Sequence, residues 1–301
     1  MMRKFRRYPT ERPCVFSQKN RCARTSLLAT AFWALSVASA CASAYEASHD
    51  ELTSETTAGV SLQGSVLVRD LPLENGGFQR VLYDAPPAEV RGVIVMFPGG
   101  ADDLGIEKNG DIEHAENFVV RSRDLWRAKG YGVVLVDAIG HQSMRGERST
   151  AAYAAVTKKI VAFAHDQGNA PVWVLGTSQG SIAAMNTASH AGRSQLAGVI
   201  LTESVSIVGG SHETVFDAHP EDVHVPALVV ANRDDQCKVA PPSMANAIAQ
   251  SLRNTQATVL FVQGGTQRSS NECASLSPHG YYGIEDKVVD AIVAWMQRVR
   301  S

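Results

Sequence analysis

From residue 63 onward the chain alternates short, continuous apolar runs with longer segments of helical periodicity. "SVLVRDL" and "GFQRVLYDAP" flank the turn residues Asn75-Gly76-Gly77 and predict an antiparallel pair of strands. "GVIVMF" (92–97) is apolar throughout, the pattern of a strand buried on both faces, and stops at Pro98-Gly99-Gly100. "ENFVVRSRDLWRAKG" then predicts one helix with Phe118, Val119, Leu125 and Trp126 inward and Gly130 as its stop. After it, "YGVVLVDA", "PVWVL", "LAGVILTES", "VPALVVANR" and "ATVLFVQGG" read as strands. "AAYAAVTKKIVAFAHDQG", "QGSIAAMNTAS", "PPSMANAIAQSLR" and "GIEDKVVDAIVAWMQRV" read as helices. Regular alternation of this kind predicts an α/β fold, a mostly parallel sheet with helices on both faces. Trp126, Trp173 and Trp295 fall on the apolar stripes and are expected in the core.

The first 62 residues follow another pattern. Eight Lys or Arg and one Glu occupy residues 1–25, and "SLLATAFWALSVASACASA" follows without a charge. A basic stretch, an apolar stretch and a small-residue site describe an export signal. Ala42-Ser43-Ala44 sets cleavage before Tyr45, giving a signal peptide over 1–44, a flexible lead-in over 45–62 and one domain over 63–301. Ala38-Ser39-Ala40-Cys41 offers a second course, lipid attachment at Cys41, although alanine stands where such boxes carry leucine. The apolar run falls short of the ~20 residues a membrane span requires.

Removing the signal changes the charge balance. The 301-residue chain carries 28 basic and 30 acidic residues; residues 45–301 keep 20 and 29, a net charge near −9. That balance offers no basic surface for nucleic acid or anionic membranes. No zinc-type Cys/His spacing, phosphate-binding loop or dinucleotide fingerprint occurs, so no cofactor is implied.

The candidate chemistry lies in Gly176-Thr177-Ser178-Gln179-Gly180, a serine between two glycines where "PVWVL" gives way to a helix. Such a pentapeptide is weak evidence alone. Serine needs a base to take its proton and a third group to orient that base. After "VPALVVAN" comes Arg233-Asp234-Asp235, and after the last strand comes Ser277-Pro278-His279-Gly280. Serine, acid and histidine in that order, each after a strand, resemble the α/β-hydrolase superfamily over residues 78–301. Phe97-Pro98-Gly99-Gly100 matches the same pattern.

The resemblance implies a serine hydrolase with Ser178 as nucleophile, His279 as base and Asp235 as acid. Asp234 and Glu203, after "VILT", are the alternative acids; Asn232-x-x-Asp235 fits the Gly-x-x-Asp register of the superfamily. The Gln179 N–H, at the start of a helix, suits an oxyanion, and the second donor belongs to the loop after "VIVMF", at Gly100 or its neighbour Ala101. Asp137 is expected to brace loops, and His114 and His141 to stand outside the chemistry. If acid and base loops meet, Cys237 and Cys273 are brought close enough to bridge. Only about 20 residues (206–225) separate the sixth strand from the acid strand, too few for a helical cap. The site is therefore expected to be open, roofed by loops 101–115, 141–150 and 266–278. The expected partner is a small or polymeric acyl substrate: an ester, or an amide in the rival peptidase reading. A binding protein without catalysis is the third reading, disfavoured because all three triad residue types are present.

Overall fold

The computed structural model describes residues 66–74 and 76–300. The expected signal, Cys41, the lead-in and turn residue Asn75 lie outside the described residues. Among those described, no helix is long and apolar enough to cross a membrane.

Eight strands form one sheet in the order β1-β2-β4-β3-β5-β6-β7-β8. β1 (Val66–Pro72) pairs antiparallel with β2 (Phe78–Asp84), in register from Val66 opposite Asp84 to Pro72 opposite Phe78. β2 is also antiparallel to β4 (Tyr131–Val136). β3 (Gly92–Phe97), β4, β5 (Val172–Thr177), β6 (Gly198–Thr202), β7 (Ala227–Asn232) and β8 (Ala257–Val262) run parallel.

The continuous apolar runs conceal a strict alternation, because both faces of the sheet are covered. Val93, Val95 and Phe97 of β3, Val172 and Val174 of β5, and Val199 and Leu201 of β6 share one core. Side chains of α3 (Ala151–Asp166), α4 (Gly180–Ser189) and α5 (Ala245–Ser251) fill that core from outside. The intervening Ile94, Met96, Trp173, Leu175 and Ile200 point the other way. They pack with α1 (Phe118–Arg121), α2 (Arg123–Ala128) and α6 (Glu285–Arg298). Trp126, Trp173 and Trp295 are all buried here, the last two with ring centroids 5.7 Å apart.

One local feature departs from the sequence reading, and another agrees with its expectation of no helical cap. The single helix expected over "NFVVRSRDLWRA" divides at buried Ser122, whose Oγ accepts from Trp126 Nε1 at 3.2 Å. The backbone N–H of Ser122 still donates to Phe118 O at 2.9 Å, and its carbonyl accepts from Leu125 N–H at 3.0 Å, so the two short helices follow directly on one another. Between β6 and β7 the chain makes two 3₁₀ turns, Val215–Ala218 and Pro220–Asp222, with no helical cap.

The order of strands decides where a site can form. β3 has β4 on one side and β5 on the other, so the chain changes direction of progression between them. In open α/β sheets a crevice opens at that point, beyond the carboxyl ends of the strands. The loops after β3 and β5, carrying Gly99-Gly100 and Ser178, flank it.

Candidate active site

β5 ends on a tight turn in which Ser178 adopts φ 51°, a left-handed conformation that costs any residue but glycine. Space explains the flanking glycines. A Cβ on Gly176 would lie 2.1 Å from the Gly180 carbonyl oxygen, and one on Gly180 would lie 2.2 Å from that of Phe97. The turn is pinned by Ser178 N–H to Thr202 O (2.9 Å) and Ser181 Oγ–H to Ser178 O (2.6 Å). Ser178 is thereby held above the sheet, beside the N-terminus of α4.

His279 sits in a 3₁₀ turn, Pro278–Gly280, capped by Ser277, whose Oγ accepts from His279 N–H. Asp235 follows β7 by three residues. His279 Nδ1–H donates to Asp235 Oδ2 at 2.7 Å, and Nε2 faces Ser178 Oγ at 2.8 Å. With Nδ1 protonated toward the carboxylate, Nε2 presents its lone pair to the serine hydroxyl. Asp235 Oδ1 accepts the Cys237 N–H at 2.7 Å, and both Asp235 and His279 are buried. The bridge expected near this pair is present: Cys237 is bonded to Cys273, with Cα atoms 4.7 Å apart.

The two alternative acids have other environments. Asp234 turns toward the loop after β8, accepting Gly264 N–H at 3.0 Å. Glu203, at φ 43°, is buried behind Asp235, and its Oε1 accepts Asn232 N–H at 2.7 Å. One oxygen of Glu203, one of Asp235 and a His279 ring nitrogen all lie within 4.8 Å of one another. Burial pushes the Glu203 carboxyl well above the usual carboxylate range, and the Asp235 charge pushes it further.

Asp137 braces loops as expected, taking the N–H groups of Leu104 (2.8 Å), Ile106 (2.8 Å) and Ala138 (2.9 Å). His141 is exposed and pairs with Asp103, and His114 is an exposed loop residue. Neither approaches the serine–histidine pair by any hydrogen bond. Sequence reasoning missed Asn232, whose side chain joins two loops, and Arg148, which is fully buried beneath the site. An amide at the end of a strand was the available signal for the first. For the second there was none, since "HQSMRGERST" reads as a solvated loop.

Ser178 and His279 open into a cavity of about 650 Å³. Its walls include Gly99, Gly100, Asn117, Arg145 and the segment from Cys273 to Leu276. The backbone N–H groups of Gln179, Gly100 and Ala101 have no protein acceptor among the described residues.

No protein-family model and no curated protein matches the chain. Solved structures do. Est1E from Butyrivibrio proteoclasticus is similar at 14% identity and a TM-score of 0.54, over 77% of this chain and 98% of that one. XC6422 from Xanthomonas campestris, described as an α/β serine hydrolase without lid, matches at 14% identity and a TM-score of 0.50, over 75% and 94%. A puromycin-hydrolyzing peptidase of Mycobacterium tuberculosis matches at 13% identity and a TM-score of 0.56, over 80% of this chain and 40% of that one. These likenesses, with the sheet order and the turn at Ser178, show that the chain has the α/β-hydrolase fold.

Proposed function

We propose that the protein is an exported serine hydrolase that cleaves carboxylic esters through an acyl-enzyme on Ser178. The observation that carries the reading is the unbroken line of hydrogen bonds from Ser178 through His279 to Asp235, opening on a cavity. His279 Nε2 takes the hydroxyl proton as Ser178 Oγ bonds to the acyl carbon. The carbonyl π electrons move onto oxygen, where backbone N–H groups of Gln179 and the loop after β3 receive the charge. When the tetrahedral species collapses, the bond to the leaving group breaks and His279 returns the proton to it. Water then repeats the sequence on the acyl-enzyme, releasing the acid and restoring Ser178. Asp235 stays ionised throughout and holds the imidazole in the tautomer that can accept.

The cavity is open, which suits an acyl substrate that is bulky or part of a larger molecule. Export is supported by the basic and apolar leader and by the Cys237–Cys273 bridge, a bond suited to an oxidising compartment. The peptidase reading uses the same residues and differs in leaving group; the likeness to a puromycin-hydrolyzing peptidase keeps it in view. Turnover of p-nitrophenyl esters against matched peptide anilides, with Ser178→Ala as control, separates the two. Turnover of the esters with none of the anilides is the expected result, and cleavage of the anilides would assign a peptidase.

A further inference from the structure

Arg148 is completely buried, on the loop that leads into α3, and its place is fixed from both sides. Asn186 of α4 donates to its carbonyl at 2.8 Å. The Glu213 carboxylate takes the N–H groups of Gly146 (2.9 Å) and Ser149 (3.0 Å) around it. From there the guanidinium reaches two loops at once. Nε pairs with Asp102 Oδ2 at 2.8 Å and Nη2 donates to the Gly100 carbonyl at 2.9 Å, both in the loop after β3. Nη1 donates to Gln179 Oε1 at 3.4 Å, in the loop after β5. These two loops supply the backbone donors discussed above. A fully buried ion pair is a poor source of net stability, since desolvation offsets the attraction. A planar fork that holds two loops in fixed relation is what arginine does and lysine cannot.

The bonds also orient individual peptides. In a trans peptide the carbonyl and the following N–H point in opposite directions, and among the described residues no peptide is cis. Asn117, on the cavity wall, donates to the Gly99 carbonyl at 3.4 Å, so the Gly100 N–H is turned away from Asn117. Arg148 holds the Gly100 carbonyl on the buried side, so the Ala101 N–H is turned away from Arg148.

We propose that Arg148 is a positioning residue for the oxyanion hole, setting the Gly100–Ala101 peptide so that Ala101 N–H, with Gln179 N–H, receives the oxyanion. This rests on the acyl-hydrolase reading above and replaces Gly100 by its neighbour as second donor. The two claims separate in one crystal structure of the wild-type enzyme inactivated with an alkyl fluorophosphonate. The phosphonyl oxygen is expected within hydrogen-bond distance of Ala101 N and Gln179 N. An adduct whose oxygen meets Gly100 N instead overturns the donor assignment alone; a wild-type enzyme that takes no phosphonate overturns the hydrolase reading beneath it.

Arg148→Lys tests the positioning role. Lysine keeps the charge beside Asp102 but cannot also hold Gly100 and Gln179. Loss of one oxyanion donor costs about 10²-fold in kcat, so kcat is expected to fall 10- to 100-fold with KM within threefold. The inhibition constant of an alkyl boronic acid, whose bound form is tetrahedral, is expected to rise in parallel. Folded Arg148→Lys with kcat and boronate affinity within twofold of wild type overturns the proposal, as does a lower kcat with unchanged boronate affinity. If that variant does not fold, Asp102→Asn/Arg148→Gln removes the Asp102–Arg148 ion pair as a unit, leaves Glu213, 3.9 Å from the guanidinium in the wild type, in place, and carries the same readouts.

Discussion

The side-chain amide of Asn232 donates to the carbonyl of Pro278 at 2.9 Å, tying the strand that leads to Asp235 directly to the turn that carries His279. The same nitrogen also donates to Gly264 O at 2.8 Å, and the backbone N–H of Asn232 is taken by Glu203. Asp235 and His279 therefore meet above hydrogen-bonded groups buried beneath them, and their 2.7 Å contact depends on that frame. Asn232→Ala leaves the Gly264 and Pro278 carbonyls without this donor. A loss of about 1–3 kcal/mol in stability is expected from a denaturant titration. A fall in kcat larger than the change in KM should accompany it; unchanged kcat in a folded variant would detach Asn232 from the triad.

Asp234 and Asp235 are adjacent in sequence and differ entirely in partner. Asp235 accepts from His279, whereas Asp234 accepts from the loop after β8. Asp235→Asn should lower kcat by about 10³–10⁴, the scale seen when a triad acid can no longer fix the histidine tautomer. Asp234→Asn should cost less than tenfold. Steady-state ester kinetics on the two variants decide the order, and the reverse ranking would move the acid by one residue.

Glu203 gives a prediction in pH. Its carboxyl is raised above the ordinary glutamate value of 4.5 by burial first and Asp235 second. Above pH 4.5 the unfolded chain has lost this proton while the native protein keeps it. The native state then binds more protons than the unfolded state, so stability falls as pH rises, by up to about 1.4 kcal/mol per unit for one group. Glu203→Gln removes that dependence, and glutamine retains both an acceptor for Asn232 N–H and a donor toward Asp235. The variant should match wild type below pH 4.5 and exceed it increasingly above. Parallel stability curves from pH 4 to 8 would mean that Glu203 is ionised in the native protein.

The Cys237–Cys273 bond spans 36 residues and adjoins the acid, since Cys237 N–H is bonded to Asp235 Oδ1. Closing a loop of that length is worth about 3–4 kcal/mol in the chain-entropy account. Cys237→Ser/Cys273→Ser should therefore lower Tm by several degrees and reduce kcat by loosening the acid loop. Calorimetry beside ester kinetics reads both effects, and a variant equal to wild type in each would leave the bond without a role.

The elements were legible where their chemistry is local. Continuous apolar runs gave β3 through β7 because these parallel strands are covered on both faces, and the glycines around Ser178 announced a turn with no room for side chains. The resemblance of their order and register to the α/β-hydrolase superfamily brought Asp235 and His279 forward. What stayed hidden depends on contacts distant in sequence. Arg148 looks solvated until Asp102, Gly100 and Gln179 close around it, and Glu203 looks like an ordinary strand-end carboxylate until burial raises its pKa.

The central claim is that Ser178 is a nucleophile activated by His279. The most direct measurement is the intact mass and peptide map of the protein after treatment with a fluorophosphonate. One phosphonyl group on the peptide containing Ser178, absent in Ser178→Ala and strongly slowed in His279→Ala, is the predicted result. An unlabelled wild-type protein, or label on another residue with Ser178→Ala still active, would contradict it.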